Sequence, residues 1–167
     1  MEESKNRKST RLRNTDYNRR GKYFLTICTK DKKCLLSQVV GTGVPDGPRI
    51  KLLPYGKIAE KYITQLNNFY DEISVESYVI MPNHIHIMLV VNEQIGPSGT
   101  PVPTLQNSTI SRFISTFKRF CNKEIGENIW QYRSNDHIIR NSQDYERHRR
   151  YINENPMRWK FDDLYSE

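Results

Sequence analysis

The run from Tyr78 to Val91 constrains this chain most, because its side chains alternate in character over the length of a β-strand. Residues two apart on a strand point to the same face of the sheet. His84 and His86 therefore share one face, and the opposite face receives only aliphatic side chains: Ile85, Ile87, Leu89 and Val91. The pattern predicts a buried strand with two neighbouring imidazoles, a geometry suited to two ligands of one metal ion.

Histidines on a sheet are also found as ordinary hydrogen-bonded or solvated side chains, so the strand alone leaves this alternative open. Two of the chain's four histidines occupy this one face, directly after a predicted turn at Pro82-Asn83, and this concentration favours a metal site. Zinc hydrolases also use His-x-His pairs, but they add further His or Asp ligands nearby. No such ligand follows His86 closely in this sequence.

Length and charge narrow the classes of protein that this chain can be. A chain of 167 residues makes one domain, which buries about 70% of its unfolded surface. The 26 Lys and Arg residues outnumber 19 Asp and Glu, and the resulting net charge of +7 favours a polyanionic partner. No run approaches the roughly 18 apolar residues of a membrane span, and we expect a cytoplasmic protein without membrane contact. The three cysteines show no paired spacing and are expected to be reduced thiols.

The chain divides into a basic arm, one domain and a short tail. Residues 1–22 carry eight Lys or Arg against three acids and show no hydrophobic periodicity, which predicts a flexible basic arm. We expect a single domain over residues 23–160 and a C-terminal tail over residues 161–167.

The secondary-structure pattern of this domain predicts an α+β fold. A strand over Tyr23–Lys30 precedes a Gly- and Pro-rich loop over Val40–Arg49, and apolar spacing from Pro54 to Phe69 predicts a helix. Two further strands, Glu72–Met81 and His84–Asn92, are expected to form an antiparallel hairpin.

A second loop over Ile95–Leu105 precedes an amphipathic helix that Ser108 or Thr109 caps and Gly126 ends, and a short strand follows over Asp136–Arg140. This order of elements predicts a ferredoxin-like sandwich, in which helices pack on a central antiparallel sheet that carries the histidine pair.

A last helix is expected from an Asn141 cap to about Asn155, because Pro156 disfavours helical geometry in the residue before it. Helical spacing gives this helix a polar stripe, made of Asp144, His148, Tyr151 and Asn155, and an apolar stripe with Tyr145 and Ile152. Periodicity alone explains Tyr151 as an amphipathic surface tyrosine and Asn155 as a helix terminator.

Four runs together resemble a known family. In chain order they are Met81-Pro82-Asn83-His84-Ile85-His86, Trp130-Gln131, Asp136-His137-Ile138-Ile139-Arg140-Asn141 and Tyr151-Ile152-Asn153-Glu154-Asn155-Pro156. Their order and spacing resemble the single-tyrosine HUH transposases, and among these the REP-associated tyrosine transposases, over about residues 23–159.

The resemblance implies a DNA transposase, which cleaves and transfers single-stranded DNA through a 5′-phosphotyrosine. It implies that His84 and His86 bind a divalent metal ion, Mg²⁺ or Mn²⁺, that Asn155 is the polar third ligand, and that Tyr151 is the catalytic nucleophile. No nucleotide cofactor is expected. The implied partner is single-stranded DNA with hairpins or inverted repeats. Its phosphates would contact the basic arm and the Arg-rich stretch 133–150, and its unpaired bases would contact aromatic residues such as Trp130 and Tyr132, although a core position also explains Trp130.

Other interpretations remain open at this point. A basic ferredoxin-like sheet also suits a non-catalytic module that binds RNA or repeat DNA, and the histidine pair also suits a nuclease that activates water. Related enzymes differ in whether the tyrosine serves its own metal site or that of a second subunit, so a monomer and a homodimer both remain open. The sequence assigns no role to His137 or His148.

Overall fold

Two central strands, β1 and β5, organise a four-stranded antiparallel sheet with the strand order β4-β5-β1-β6. The computed structural model describes residues 20–41, 47–92 and 108–166. Within these ranges the strands are β1 (Gly21–Cys28), β2 (Ser37–Val40), β3 (Arg49–Leu52), β4 (Ile73–Ile80), β5 (His84–Val91) and β6 (Asn135–Ile139). The helices are α1 (Pro54–Phe69), α2 (Thr109–Ile125) and α3 (Ser142–Arg158). The predicted α+β sandwich is confirmed.

Parts of three predicted segments lie outside the described residues: the basic arm up to residue 19, the middle of the first loop, and the whole of the second loop. Within the described ranges, none of the helices combines the length and the apolar character that crossing a membrane would require.

The alternation along β5 gives the sheet two different faces. Its aliphatic residues join Leu25, Ile63, Phe113 and Phe117 in the main core, beneath α1 and α2. The other face carries the histidines and a small apolar cluster, in which Phe24 and Met88 contact Ile152 of α3. Helix α3 therefore packs on the face opposite α1 and α2, directly over the histidine pair.

The ends of α2 are as the sequence predicts. The side chain of Ser108 accepts a hydrogen bond from the backbone N–H of Ser111 at 3.1 Å, and Gly126 adopts a left-handed φ of 89° at the other end.

Helix α3 begins as predicted but ends later. The side chain of Asn141 caps its first turn, but the helix continues through Pro156 to Arg158, so the end predicted near Asn155 is wrong. Proline removes one backbone hydrogen bond, to the carbonyl of Ile152. Burial of Ile152, Asn155 and Trp159 against the rest of the domain outweighs this loss.

The sequence analysis did not identify the small β2–β3 hairpin, whose two strands have four residues each and flank the predicted loop. It packs beside α1 at the point where the backbone N–H of Leu53 donates to the carbonyl of Leu36 at 2.9 Å. Gly56, in the first turn of α1, lies against the same carbonyl, and a Cβ atom at this position would overlap the Leu36 oxygen. Glycine is therefore required at position 56 by close backbone approach.

We predict that Gly56→Ala lowers the free energy of unfolding by about 2 kcal/mol, because overpacking against a backbone atom outweighs the better helix propensity of alanine. Gly126→Ala is the control. A Cβ there meets no atom within 4 Å, so its cost of about 1 kcal/mol comes from the left-handed backbone alone. Urea unfolding followed by circular dichroism measures both, and a Gly56→Ala variant as stable as the wild type would contradict the close packing.

Candidate active site

The two histidines of β5 and two polar residues of α3 meet between the sheet and the helix. His84, His86 and Asn155 are buried, whereas Tyr151 is 37% exposed. The ring centroid of Tyr151 lies 5.0 Å from that of His86, and the two histidine rings are 4.5 Å apart. The structure thus brings together all four residues that the sequence analysis singled out, and it brings the tyrosine to the histidines of its own chain.

Neighbouring side chains fix the orientation of both imidazoles. The Nδ1 atom of His84 donates to the Asn83 side-chain oxygen at 2.7 Å, and Nδ1 of His86 lies 2.9 Å from the hydroxyl of Thr26, its register partner on β1. Such contacts leave the Nε2 atom of each ring to face the site, as in metal sites whose histidines are held through their second nitrogen.

Three buried atoms of the site lack a hydrogen-bond partner among the described residues: Nε2 of His84, Nε2 of His86 and Oδ1 of Asn155. Buried polar atoms are rarely left unsatisfied. Burial lowers the pKa of His84 to about 4, against the opposing charge of Asp162, and it lowers the pKa of His86 well below its usual value. Both rings are therefore neutral at physiological pH. Two imidazole nitrogens and one amide oxygen, each with an unused lone pair, form a donor set that fits a divalent cation.

Asp162, in the turn after α3, is the site residue that the sequence analysis missed. Its Oδ2 atom accepts hydrogen bonds from the hydroxyl of Tyr151 at 3.0 Å and from Nδ2 of Asn155 at 3.1 Å, and it lies 3.9 Å from Nε2 of His84. The bond from Asn155 uses the nitrogen of that amide and leaves its oxygen without a hydrogen-bond partner in the part of the chain that the structure describes. Asp162 falls in the segment that the sequence analysis treated as a tail, where no periodicity or motif marks it.

The phenol of Tyr151 is held in its neutral form. Burial, followed by the charge of Asp162 and the hydrogen bond to it, raises the pKa of Tyr151 to about 12. A hollow of about 320 Å³ lies beside the ring and is lined by Arg158, Phe161, Asp162 and Asp163. The hydroxyl can therefore be approached from solvent through a hollow that carries one guanidinium group and two carboxylates.

A second polar cluster ties the first half of α3 to β6. Nε2 of His137 lies 2.9 Å from Oδ2 of Asp144, and the same carboxylate accepts bonds from the Arg140 backbone and from the Arg147 side chain. The rings of His137 and His148 stack at 4.6 Å. Although these residues are close enough to share a metal ion, the Asp144 oxygens already accept several hydrogen bonds. The cluster is a structural anchor for the helix that carries Tyr151.

The charge of Asp144 is stabilised by this cluster. Burial acts to raise the pKa of Asp144, but the hydrogen bonds from His137, Arg140 and Arg147 outweigh it and hold the pKa well below its usual value.

Comparisons with known proteins agree with the fold. The chain is 30% identical over 174 residues to an uncharacterized protein of Haemophilus influenzae, with 95% of this chain and 93% of that protein covered. Its structure is similar to that of a REP-associated tyrosine transposase bound to a REP hairpin, with a TM-score of 0.58 and 22% identity over 83% of this chain and 67% of the other. A putative transposase from Deinococcus radiodurans gives a TM-score of 0.44 and 17% identity over 86% of this chain and 96% of the other, too low to support an argument. No family model matches the chain. The resemblance expected from the motifs is thus confirmed at the level of the fold.

We predict that Asp144→Asn lowers the free energy of unfolding by about 2 kcal/mol at pH 7, because charged hydrogen bonds to two elements are lost. The pKa of Asp144 is lower in the folded than in the unfolded protein. The contribution of Asp144 to the free energy of unfolding is therefore present above about pH 4 and is lost as the pH falls further. Below that pH, the wild type should therefore lose stability more steeply than the variant. Urea unfolding at pH 7.0, 4.5 and 3.5 measures this difference. The exposed Asp71, changed to Asn, is the control, and a loss in Asp144→Asn no larger than in this control would contradict the anchor.

Proposed function

The chain belongs to the same family as the uncharacterized Haemophilus influenzae protein, and we propose that it is an HUH tyrosine transposase. It would cleave single-stranded DNA that carries a hairpin or inverted repeat and transfer the cleaved strand. The observation that carries the proposal is the position of the Tyr151 ring, 5.0 Å from that of His86, beside buried imidazoles whose Nε2 atoms have no hydrogen-bond partner among the described residues. The fold shared with a tyrosine transposase supports the same conclusion.

In the proposed reaction, the oxygen of Tyr151 attacks a phosphodiester of the DNA. A bond forms between this oxygen and phosphorus, the bond from phosphorus to the 3′ oxygen breaks, and the DNA is left with a 5′-phosphotyrosine and a free 3′ hydroxyl. The proton lost by the phenol is balanced by the proton that the 3′ oxygen gains. Attack of another 3′ hydroxyl on the phosphotyrosine reverses these steps and joins strands without ATP.

A divalent cation fits this chemistry and this donor set. His84, His86 and Asn155 would hold it, and when bound it would neutralise charge on the phosphate and so favour attack by the phenol. Mixed nitrogen and oxygen donors suit Mg²⁺ or Mn²⁺. The residues around these three ligands keep them oriented: Asn83 holds His84, Thr26 contacts His86, and Asp162 holds the amide of Asn155.

Two surfaces beside the site suit a single strand of DNA. The exposed residues of α3 include Arg147, Arg149, Arg150 and Arg158. Arg147, Arg149 and Arg158 each lie within ion-pair distance of a carboxylate on the same helix. A cleft of about 920 Å³ begins at Thr26, next to His86, and is lined by Tyr132 and Arg133 among others. Trp130 is buried, whereas Tyr132 is 97% exposed, so of these two rings Tyr132 is the one available to stack on an unpaired base. The similar solved transposase is bound to a REP hairpin, which supports a hairpin as the partner proposed here.

We predict that the wild type, incubated with Mn²⁺ and labelled single-stranded hairpins from the flanks of its gene, forms a protein–DNA band that survives denaturing electrophoresis. Tyr151→Phe removes the attacking oxygen and should reduce both cleavage and this band at least about 100-fold. Tyr145→Phe is the matched control, since Tyr145 lies on the same helix but bonds to Glu76, away from the site.

The outcomes of this experiment separate the candidate functions. Cleavage that persists in Tyr151→Phe, without a covalent band, would identify a nuclease that uses water. Hairpin binding without cleavage in the wild type, at any divalent ion tested, would identify a non-catalytic binding module.

We further predict that EDTA abolishes cleavage and that Mn²⁺ restores it in the wild type but not in His86→Ala, because one of the three proposed ligands is missing. Hairpin binding, measured by electrophoretic mobility shift, should persist in His86→Ala because the arginine surface is unchanged. Full cleavage in EDTA or in His86→Ala would rule out a metal-dependent mechanism at this site.

A further inference from the structure

We propose that Asp162 is an additional, anionic ligand of the cation, supplied by the segment that follows α3. The inference rests on the proposed function, because it requires the cation site formed by His84, His86 and Asn155. It assigns a metal-binding role to a residue outside the histidine motif and outside the helix of the tyrosine.

The position of the carboxylate carries this inference. Its Oδ2 atom lies 3.9 Å from Nε2 of His84, and candidate ligand atoms of His84, His86 and Asp162 all lie within 4.8 Å of one another. Two ligands that each lie about 2.1 Å from one cation are separated by at most about 4.2 Å. The 3.9 Å between His84 and Asp162 lies within this limit.

The two oxygens of Asp162 have different surroundings. Oδ1 accepts the backbone N–H of Leu164 at 2.7 Å, which fixes the carboxylate in a turn and directs Oδ2 to the site. Hydrogen bonds to Oδ2 come from the hydroxyl of Tyr151 and the amide of Asn155, which are both neutral donors. The side chain is only 2% exposed. A buried carboxylate is stable when a positive charge compensates it, and a divalent cation between Asp162 and the imidazoles would supply that charge.

The segment that carries Asp162 is hydrogen-bonded to Asn83, which immediately precedes β5. The side-chain nitrogen of Asn83 donates to the carbonyl of Leu164 at 2.7 Å and to the hydroxyl of Ser166 at 2.9 Å. That hydroxyl donates to the carbonyl of Lys32 at 2.7 Å. Because the oxygen of Asn83 accepts the bond from His84, one amide sets the positions of both a histidine ligand and the segment with the carboxylate.

A carboxylate would change the character of the site. His84, His86 and Asn155 are neutral donors, and three neutral donors hold hard cations such as Mg²⁺ and Mn²⁺ less tightly than a set that includes a carboxylate. One carboxylate adds a hard oxygen and a negative charge. Since the Tyr151 hydroxyl bonds to the same oxygen, cation binding would also compete with that hydrogen bond and release the hydroxyl.

The test measures Mn²⁺ binding to the full chain without DNA, by isothermal titration calorimetry and by the electron paramagnetic resonance signal of free Mn²⁺. Asp162→Asn removes the charge but keeps the oxygen that accepts the Leu164 N–H, so the turn is retained. We expect it to weaken Mn²⁺ affinity at least about tenfold. The matched control is Asp163→Asn, an exposed neighbour with the same change in charge, which should stay within about twofold of the wild type.

Two comparisons separate failure of this inference from failure of the proposed function. If His86→Ala binds Mn²⁺ as tightly as the wild type, the proposed cation site itself fails. If His86→Ala loses binding but Asp162→Asn binds as tightly as the wild type or more tightly, Asp162 is only an acceptor that restrains Tyr151 and the inference is overturned.

Circular dichroism verifies that each variant is folded. Should Asp162→Asn fail to fold, Asp162→Ser, which keeps a side-chain acceptor for the Leu164 N–H, provides the same comparison with the same expected loss.

Discussion

Alternation of side chains along β5 is the constraint on which the rest of the structure depends. One set of residues fills the main core beneath α1 and α2, and the other set places two imidazoles on the opposite face. A shift of one residue in strand register would exchange the two sets and lose the core and the site together. Pairing of β5 with β1 on one side and β4 on the other prevents such a shift.

Helix α3 completes the site, and few apolar side chains attach this helix to the sheet. Ile152 packs on Phe24 and Met88, and most of the remaining attachment of α3 is polar, through Asp144 at its start and Asp162 beyond its end. Polar attachments of this kind require well-aligned partners and so define one orientation of the helix. The orientation of Tyr151 relative to the histidines follows from contacts at both ends of α3.

Most of the fold could be predicted from the sequence, because strand and helix periods are local properties. The same periods placed the four site residues on their strand and helix. The two-residue period located His84 and His86, and helical spacing put Tyr151 and Asn155 on one stripe. The period could not say that this stripe faces the histidines, which required the family resemblance. Asp162 was missed because it lies in a turn, where side chains follow neither the strand period nor the helix period.

Burial differs between the two sides of the site. The imidazoles are closed off from water, whereas the phenol stands beside a hollow open to solvent. A phosphate linked to this phenol would occupy the hollow and stand between bulk water and the histidines. Because the hollow is open to solvent, water would reach such an ester, and a 3′ end held beside the site would compete with that water through its proximity to the phosphorus.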